Sequence, residues 1–290
     1  MTIKNHNSKI MEGKICMITG ANSGIGKATT IGLAKMGATI IMVCRNRERG
    51  EKAFEQIKGK CKNGSLDLML ADLSSQKAIH QLVLNFKEKY NHLNVLINNA
   101  GVNLSKRTLT VDGIETTLAV NYLAPFLLCN LLFDSLKAGK PARIVNVASS
   151  VQAKSIDFEN LNGEKHYHQL KAYSMSKLAL ITFTYEFARR FNGNGLTINC
   201  LHPGYVRTNM IRNFRKFVKY VFPFIGLFVK SPKRGAKTSI YCASSPDIEE
   251  VSGKYFKKRK EAKSVKASYD VELAKKLWDI SVKLTNLNPE

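Results

Sequence analysis

Tyr173 and Lys177, four residues apart, carry the clearest chemistry in this chain. On a helix, positions i and i+4 share a face, so the phenol and the ammonium would enter one site together. A free tyrosine titrates near ~10, too high to exchange protons at neutral pH, and a cation within about 4–6 Å favours its phenolate. Tyr173 is therefore a candidate acid/base, with Lys177 as the group that tunes it. The same spacing occurs six residues upstream in Tyr167 and Lys171. Context separates the pairs. Tyr173 opens onto the largely apolar run Leu178–Phe183, whereas Tyr167 lies among His166, His168 and Gln169. Taken alone, either pair is also explained as two neighbours on a helix surface, so the surrounding elements decide.

Those elements alternate. Lys14–Thr19 reads as a buried strand that runs into the turn Gly20 to Gly26, and a helical pattern follows from Lys27 to Met36. A glycine-rich turn between strand and helix lets a pyrophosphate approach the main chain and accept from N–H groups at the helix N-terminus. The spacing is G-x-x-x-G-x-G and not G-x-G-x-x-G, so position in a βαβ unit carries the match. The second strand, Thr39–Cys44, ends about 20 residues past the turn, where an NAD-selective site would present an acid to the ribose hydroxyls. Arg45, Asn46 and Arg47 stand there instead. A guanidinium suits a 2′-phosphate, which favours NADP(H) over NAD(H); if Arg45 and Arg47 are only solvated loop charges, nothing follows about the cofactor.

Further strands are expected at Leu66–Ala71, ending at Asp72, at Leu93–Asn98, at Arg143–Ala148 and at Leu196–Cys200. Helices are expected at Gln76–Tyr90, over a long stretch from Ile114 to Leu136 containing Asn121, and from Tyr173 to Phe191. Repeated βα units predict an α/β fold: a Rossmann-like, doubly wound, mostly parallel sheet with helices on both faces. Ligands of such sheets sit at the C-terminal strand ends, where Gly20, Asp72, Asn99, Ser149 and Pro203 all fall. With no repeat and no low-complexity linker, the reading is a polar tail over residues 1–13 and one domain over 14–290.

Composition sets bounds. Six cysteines are scattered without a Cys-x-x-Cys pair, which argues for buried thiols in a reducing compartment and against metal ligation or disulfides. The first eleven residues are polar, with no signal peptide or anchor pattern, so a cytoplasmic location is expected. A formal net charge of +23 favours acidic partners without choosing among a phosphorylated cofactor, anionic lipid and nucleic acid; a merely solubilising role is the plainer alternative.

The glycine turn, Asn98-Asn99-Ala100-Gly101, Ser149, Tyr173 with Lys177 and Pro203-Gly204, in that order, resemble a short-chain dehydrogenase/reductase over about residues 14 to 260. The run from Thr19 to Lys27, Cys44-Arg45-Asn46, the Ser149-to-Tyr173 interval and Ser252 to Phe256 are most similar to the retinol dehydrogenase branch. The resemblance implies an oxidoreductase in which Tyr173 exchanges a proton with the substrate oxygen. Lys177 would lower its pKa and hold the nicotinamide ribose, Ser149 would hydrogen-bond the same oxygen, and Asn121 would hold a relay water. It also implies that Gly20, Ser23, Gly24, Ile25 and Gly26 meet the pyrophosphate, with Arg45 and Asn46 at the 2′-phosphate and Asp72 and Leu73 at adenine. Asn99, with Ala100 and Gly101, would line the ribose, and Pro203, Gly204, Val206 and Thr208 the nicotinamide side. The expected substrate is a lipophilic alcohol or its aldehyde or ketone. Reduction of a conjugated C=C bond and non-catalytic dinucleotide sensing stay open.

From Arg207 to Lys237 there are nine basic residues and no acid, interleaved with aromatics such as Phe217, Tyr220 and Phe224. The apolar part, Phe217–Val229, is too short to span a bilayer. This stretch reads as a substrate lid whose basic face could rest on an anionic membrane; Pro223 and Gly226 suit a lid better than a nucleic-acid groove. Val271–Leu284 has helical periodicity around Trp278 and is expected to pack on its own domain or, in a homo-oligomer, on a neighbouring subunit.

Overall fold

The computed structural model describes residues 9–61, 65–191, 193, 195–204, 206 and 231–287. Eight strands form one sheet in the order β3-β2-β1-β4-β5-β6-β7-β8. They are β1 Ile15–Thr19, β2 Thr39–Cys44, β3 Leu66–Leu70, β4 Val95–Asn98, β5 Ala142–Val147, β6 Leu196–His202, β7 Lys254–Lys257 and β8 Lys260–Glu261. Every pairing is parallel except the last, β7 with β8. Strand order reverses between β1 and β4, the point where an open parallel sheet leaves a crevice at its C-terminal edge.

The central strands β1, β2, β4, β5 and β6 are largely apolar because both faces are covered. Successive side chains alternate between faces. Met17, Leu96 and Ile144 join the core under α3 (Gln76–Lys89), α5 (Ala124–Leu131) and α7 (Gln169–Arg190). Cys16, Ile18, Val95 and Val145 join the opposite core, with α1 (Gly24–Lys35) and α2 (Arg47–Lys58). On that second face α1 packs closely on α8 (Pro232–Ser244), and a Cβ on Gly32 would come within 2.3 Å of Ile240 Cδ1. All six cysteines are buried free thiols, and burial pushes Cys16 up to about 12.

Several expectations shift at their edges, and one changes in kind. The stretch from Ile114 to Leu136 is not one helix. It divides into α4 (Thr116–Leu118), a π-helical turn over Ala119–Leu123, then α5, and the chain breaks again at Leu132 before α6 (Phe133–Ala138). Pro125 explains part of this, because a proline fits only the first turn of a helix and here it opens α5. Of the basic aromatic stretch, residues 207–230 lie outside the described residues, while Pro232 to Lys237 open α8.

The C-terminal helix α9 (Val271–Leu284) docks on its own chain. Trp278 lies 5.1 Å from Phe126 and 6.0 Å from Phe183, ring centre to ring centre, and the Arg190 guanidinium stands 4.3 Å above the indole. No helix among the described residues is long and apolar enough to cross a membrane.

Candidate active site

The glycine turn is built by conformation and by close approach. Gly20 and Gly24 have φ of +66° and +55°, in the left-handed region that side chains disfavour. A Cβ on Gly26 would lie 2.3 Å from Gly20 O and 2.5 Å from Asn99 Nδ2, so nothing larger than hydrogen fits there. The helix N-terminus behind this turn is left open. Ser23, the N-cap of α1, makes no side-chain capping bond and the first turn holds no acid. Asn46, Ser75 and Asp270 by contrast each cap their own helix. Open main-chain donors on a twelve-residue helix suit an anion. Ile25 lies against the space that Gly235 of α8 leaves open, as does Val206.

Thr19 ties this turn to β4. Its Oγ1 accepts from Asn99 N at 2.9 Å and Ala100 N at 3.0 Å, while Asn99 Nδ2 donates to Thr19 O at 2.8 Å. One hydroxyl and one amide thus hold two strand ends in register across the switch point.

At the outer end of the same edge, Arg45 is exposed after β2, and Asn46 Oδ1 accepts from Arg49 N at 2.9 Å. Asp72 Oδ1 accepts from Ser74 N at 3.0 Å and Ser74 Oγ at 2.7 Å, shaping the turn after β3. Leu73 turns its side chain into the core, at 8% exposure, so it can offer a ligand only its main chain. Gly101, Pro203 and Gly204 line the edge half-buried, with Gly204 at φ +92°. Thr208 lies outside the described residues.

Ser149 and Tyr173 meet, as their spacing from strand end to helix start implies. The Ser149 hydroxyl lies beside the phenol, and Ser149 Oγ accepts from Val151 N at 3.0 Å. Burial pushes the phenol upward, and the neighbouring Ser149 hydroxyl opposes this by favouring the phenolate. Lys177 Nζ donates to Val147 O at 3.0 Å and stands 5.8 Å from the centre of the Tyr173 ring. Burial pushes its ammonium down to about 8, because there the charged form has lost its water. At neutral pH Lys177 is still mainly cationic.

Asn121 sits in the π-helical turn, a local irregularity of a kind frequent at functional sites. Its Oδ1 accepts from Val102 N at 2.8 Å, and its Nδ2 donates to Val102 O at 2.9 Å and Ser176 Oγ at 3.0 Å. Both amide donors are therefore committed, and the side chain braces the loop after β4 against the Tyr173 helix. The decoy pair separates physically. Tyr167 precedes α7, which starts at Gln169, and its hydroxyl donates to Leu104 O at 2.8 Å, while Lys171 pairs with Asp157 at 3.0 Å.

Besides Thr19, a second contributor escaped sequence reasoning. Tyr255 of β7 is 3% exposed and donates its hydroxyl to Ser149 O at 3.1 Å, across 106 residues of chain. Tyr255→Phe is expected to destabilise the fold by about 1 kcal/mol, the usual worth of one hydrogen bond. Because Ser149 loses a tether, kcat should fall several-fold while KM for the dinucleotide holds; an unchanged kcat would remove Tyr255 from the site.

The order of these features along the chain has known counterparts. A family model described as short chain dehydrogenase matches residues 14–219. The chain belongs to this family. Among curated relatives, "Retinol dehydrogenase 14" of Mus musculus is 43% identical over 286 residues, covering 94% of this chain and 86% of that protein. "Retinol dehydrogenase 11" of Homo sapiens is 40% identical over 278 residues, covering 96% and 87%. Among solved structures, an uncharacterised protein from Mycobacterium paratuberculosis superposes with a TM-score of 0.77 at 30% identity, covering 95% of this chain and 94% of its own. L-sorbose reductase from Gluconobacter frateurii, solved with NADPH and L-sorbose, shares the fold at a TM-score of 0.71 and 21% identity over 86% of this chain and 96% of its own. This short-chain dehydrogenase is thus an oxidoreductase similar to retinol dehydrogenases.

Proposed function

We propose that this protein is an NADP(H)-dependent oxidoreductase interconverting a lipophilic alcohol and its aldehyde or ketone. The observation that carries this reading is the constellation of Ser149, Tyr173 and Lys177 gathered at the C-terminal edge of the sheet, beside an uncapped glycine turn.

The residues fit a dinucleotide. Gly20, Gly24 and Gly26 clear the main chain for a pyrophosphate, with Ser23 and Ile25 opening the helix whose N–H groups would meet it. Asn99, Ala100 and Gly101 would border the ribose, and Asp72 with the main chain of Leu73 the adenine. Pro203, Gly204, Val206 and Thr208 would border the nicotinamide. When bound, the dinucleotide supplies or accepts the hydride; the protein supplies alignment and proton transfer. Tyr173 exchanges the proton with the substrate oxygen, Ser149 hydrogen-bonds that oxygen, and the Lys177 charge favours the phenolate. Preference for NADP(H) is supported by Arg45, exposed at the end of β2 where an NAD-selective site would carry an acid. A lipophilic substrate is supported by the relatives, which are retinol dehydrogenases.

The test is binding and turnover side by side. NADPH should raise the melting temperature more than NADH at equal concentration, and Arg45→Asp should reverse that order. Long-chain or isoprenoid aldehydes should then drive NADPH oxidation, with the alcohol as product. Equal shifts by both dinucleotides would remove the cofactor preference, and a saturated carbonyl product would assign C=C reduction instead.

A further inference from the structure

We propose that the β7–β8 hairpin is a docking site for an anionic lipid surface, and that it turns the catalytic edge of the sheet toward that surface. Between Lys254 and Lys266 the chain carries seven cations, Lys254, Lys257, Lys258, Arg259, Lys260, Lys263 and Lys266, against the single acid Glu261. All seven are exposed, and Glu261 answers only Lys254, at 3.0 Å.

The tip is built against its own local preferences. Lys258 and Arg259 have φ of +54° and +64°, two successive left-handed residues, which is the geometry of a two-residue hairpin turn that favours Asn-Gly. Beside them Lys257 and Lys260 are paired directly across the two strands, where like charges repel. Three unfavourable choices at one exposed tip contribute nothing to folding, and such local conflicts concentrate where function holds them.

Position gives the charge a direction. β7 runs parallel to β6, with Lys257 opposite His202, and β6 runs parallel to β5, with Leu201 opposite Val147. The hairpin tip therefore leaves the sheet at the edge that holds Ser149, and Tyr255, two residues before Lys257, bonds the Ser149 carbonyl. The aromatic residues of the hairpin, Tyr255 and Phe256, are each 3% exposed. Six of the seven cations are lysines, compact point charges, and neither aromatic ring of the hairpin faces outward as a platform on which nucleic-acid bases stack, which suits the diffuse charge of lipid headgroups. Facing the cleft toward a membrane serves a lipophilic substrate, and in that purpose the proposal rests on the function above; the binding itself does not.

The test uses flotation of the full-length protein with phosphatidylcholine vesicles, with and without phosphatidylserine, so no turnover is read. The protein should float only with the anionic vesicles and be released as salt is raised, since exposed charges are screened beyond about 8 Å at physiological ionic strength. The double variant Lys258→Asn, Arg259→Gly removes two cations and supplies the residues the turn prefers. It should melt no lower than the parent, keep its turnover of a short water-soluble aldehyde, and bind anionic vesicles roughly 25-fold more weakly, at about fivefold per cation. Lys257→Gln with Lys260→Gln should show the same drop. Failure of the parent to float with anionic vesicles, undiminished binding by both variants, or tighter binding to a single-stranded oligonucleotide than to vesicles would each overturn the proposal. Flotation without any aldehyde turnover would instead strike at the proposed function and leave the docking site standing.

Discussion

Tyr173→Phe should leave a folded protein that binds NADPH within a few-fold of the parent and turns over about a thousandfold more slowly. The ring is kept, so packing is kept, and only the oxygen beside Ser149 is lost. General acid–base groups contribute about 10²–10⁴-fold, which sets the size of the effect. Tyr167→Phe is the matched control. Its hydroxyl serves Leu104 O, and its partner at i+4, Lys171, is held by Asp157. Steady-state kinetics with dinucleotide titration would decide, and parent-like turnover in Tyr173→Phe, or a collapse in Tyr167→Phe, would sink the mechanism.

Gly26→Ala should cost about 1–3 kcal/mol of stability, as overpacking does, and lower dinucleotide affinity at least about a hundredfold. The added methyl has no way out. It meets Gly20 O at 2.3 Å and Asn99 Nδ2 at 2.5 Å, the first main chain and the second tied to Thr19 O. Relief must come from moving the turn itself, which would spoil the approach of a pyrophosphate. Gly59→Ala, with its nearest neighbour 3.6 Å away, should change neither property. Melting curves with and without NADPH would test this; a full ligand-induced shift in Gly26→Ala would place the pyrophosphate elsewhere.

Legibility followed the physics of each element. β2 was readable to the residue because the strand-former Thr39 opens an apolar run, Ile40–Cys44, that stops at Arg45. α1 begins three residues before the expected Lys27 because Gly24 to Gly26 serve both as turn and as first helical turn, and glycine reads only as a breaker. The division of Ile114–Leu136 was invisible to periodicity, since Val120 to Cys129 are buried on every side and show no polar face. At the site, Ser149, Tyr173 and Lys177 were readable because one strand end and one helix face position them. Thr19 and Tyr255 were not, because the bonds through which they act span 80 residues or more and leave no local pattern. Cross-sheet amides such as Asn98 with Asn146, 2.9 Å apart, were hidden for the same reason.

Trp278 is the single tryptophan of the chain, and its place on α9 against α5 and α7 makes it an optical gauge. Its indole is wedged among Phe126, Phe183, Phe187 and Phe191 beneath Arg190, so its emission colour reports whether the C-terminal helix is seated. Phe183 lies ten residues past Tyr173 on the same helix, a rise of about 15 Å. That is within range of radiationless energy transfer to a reduced nicotinamide near Tyr173, yet beyond direct contact. One native fluorophore thus carries two separable signals: a spectral shift for release of the terminal helix, and quenching for arrival of the reduced dinucleotide.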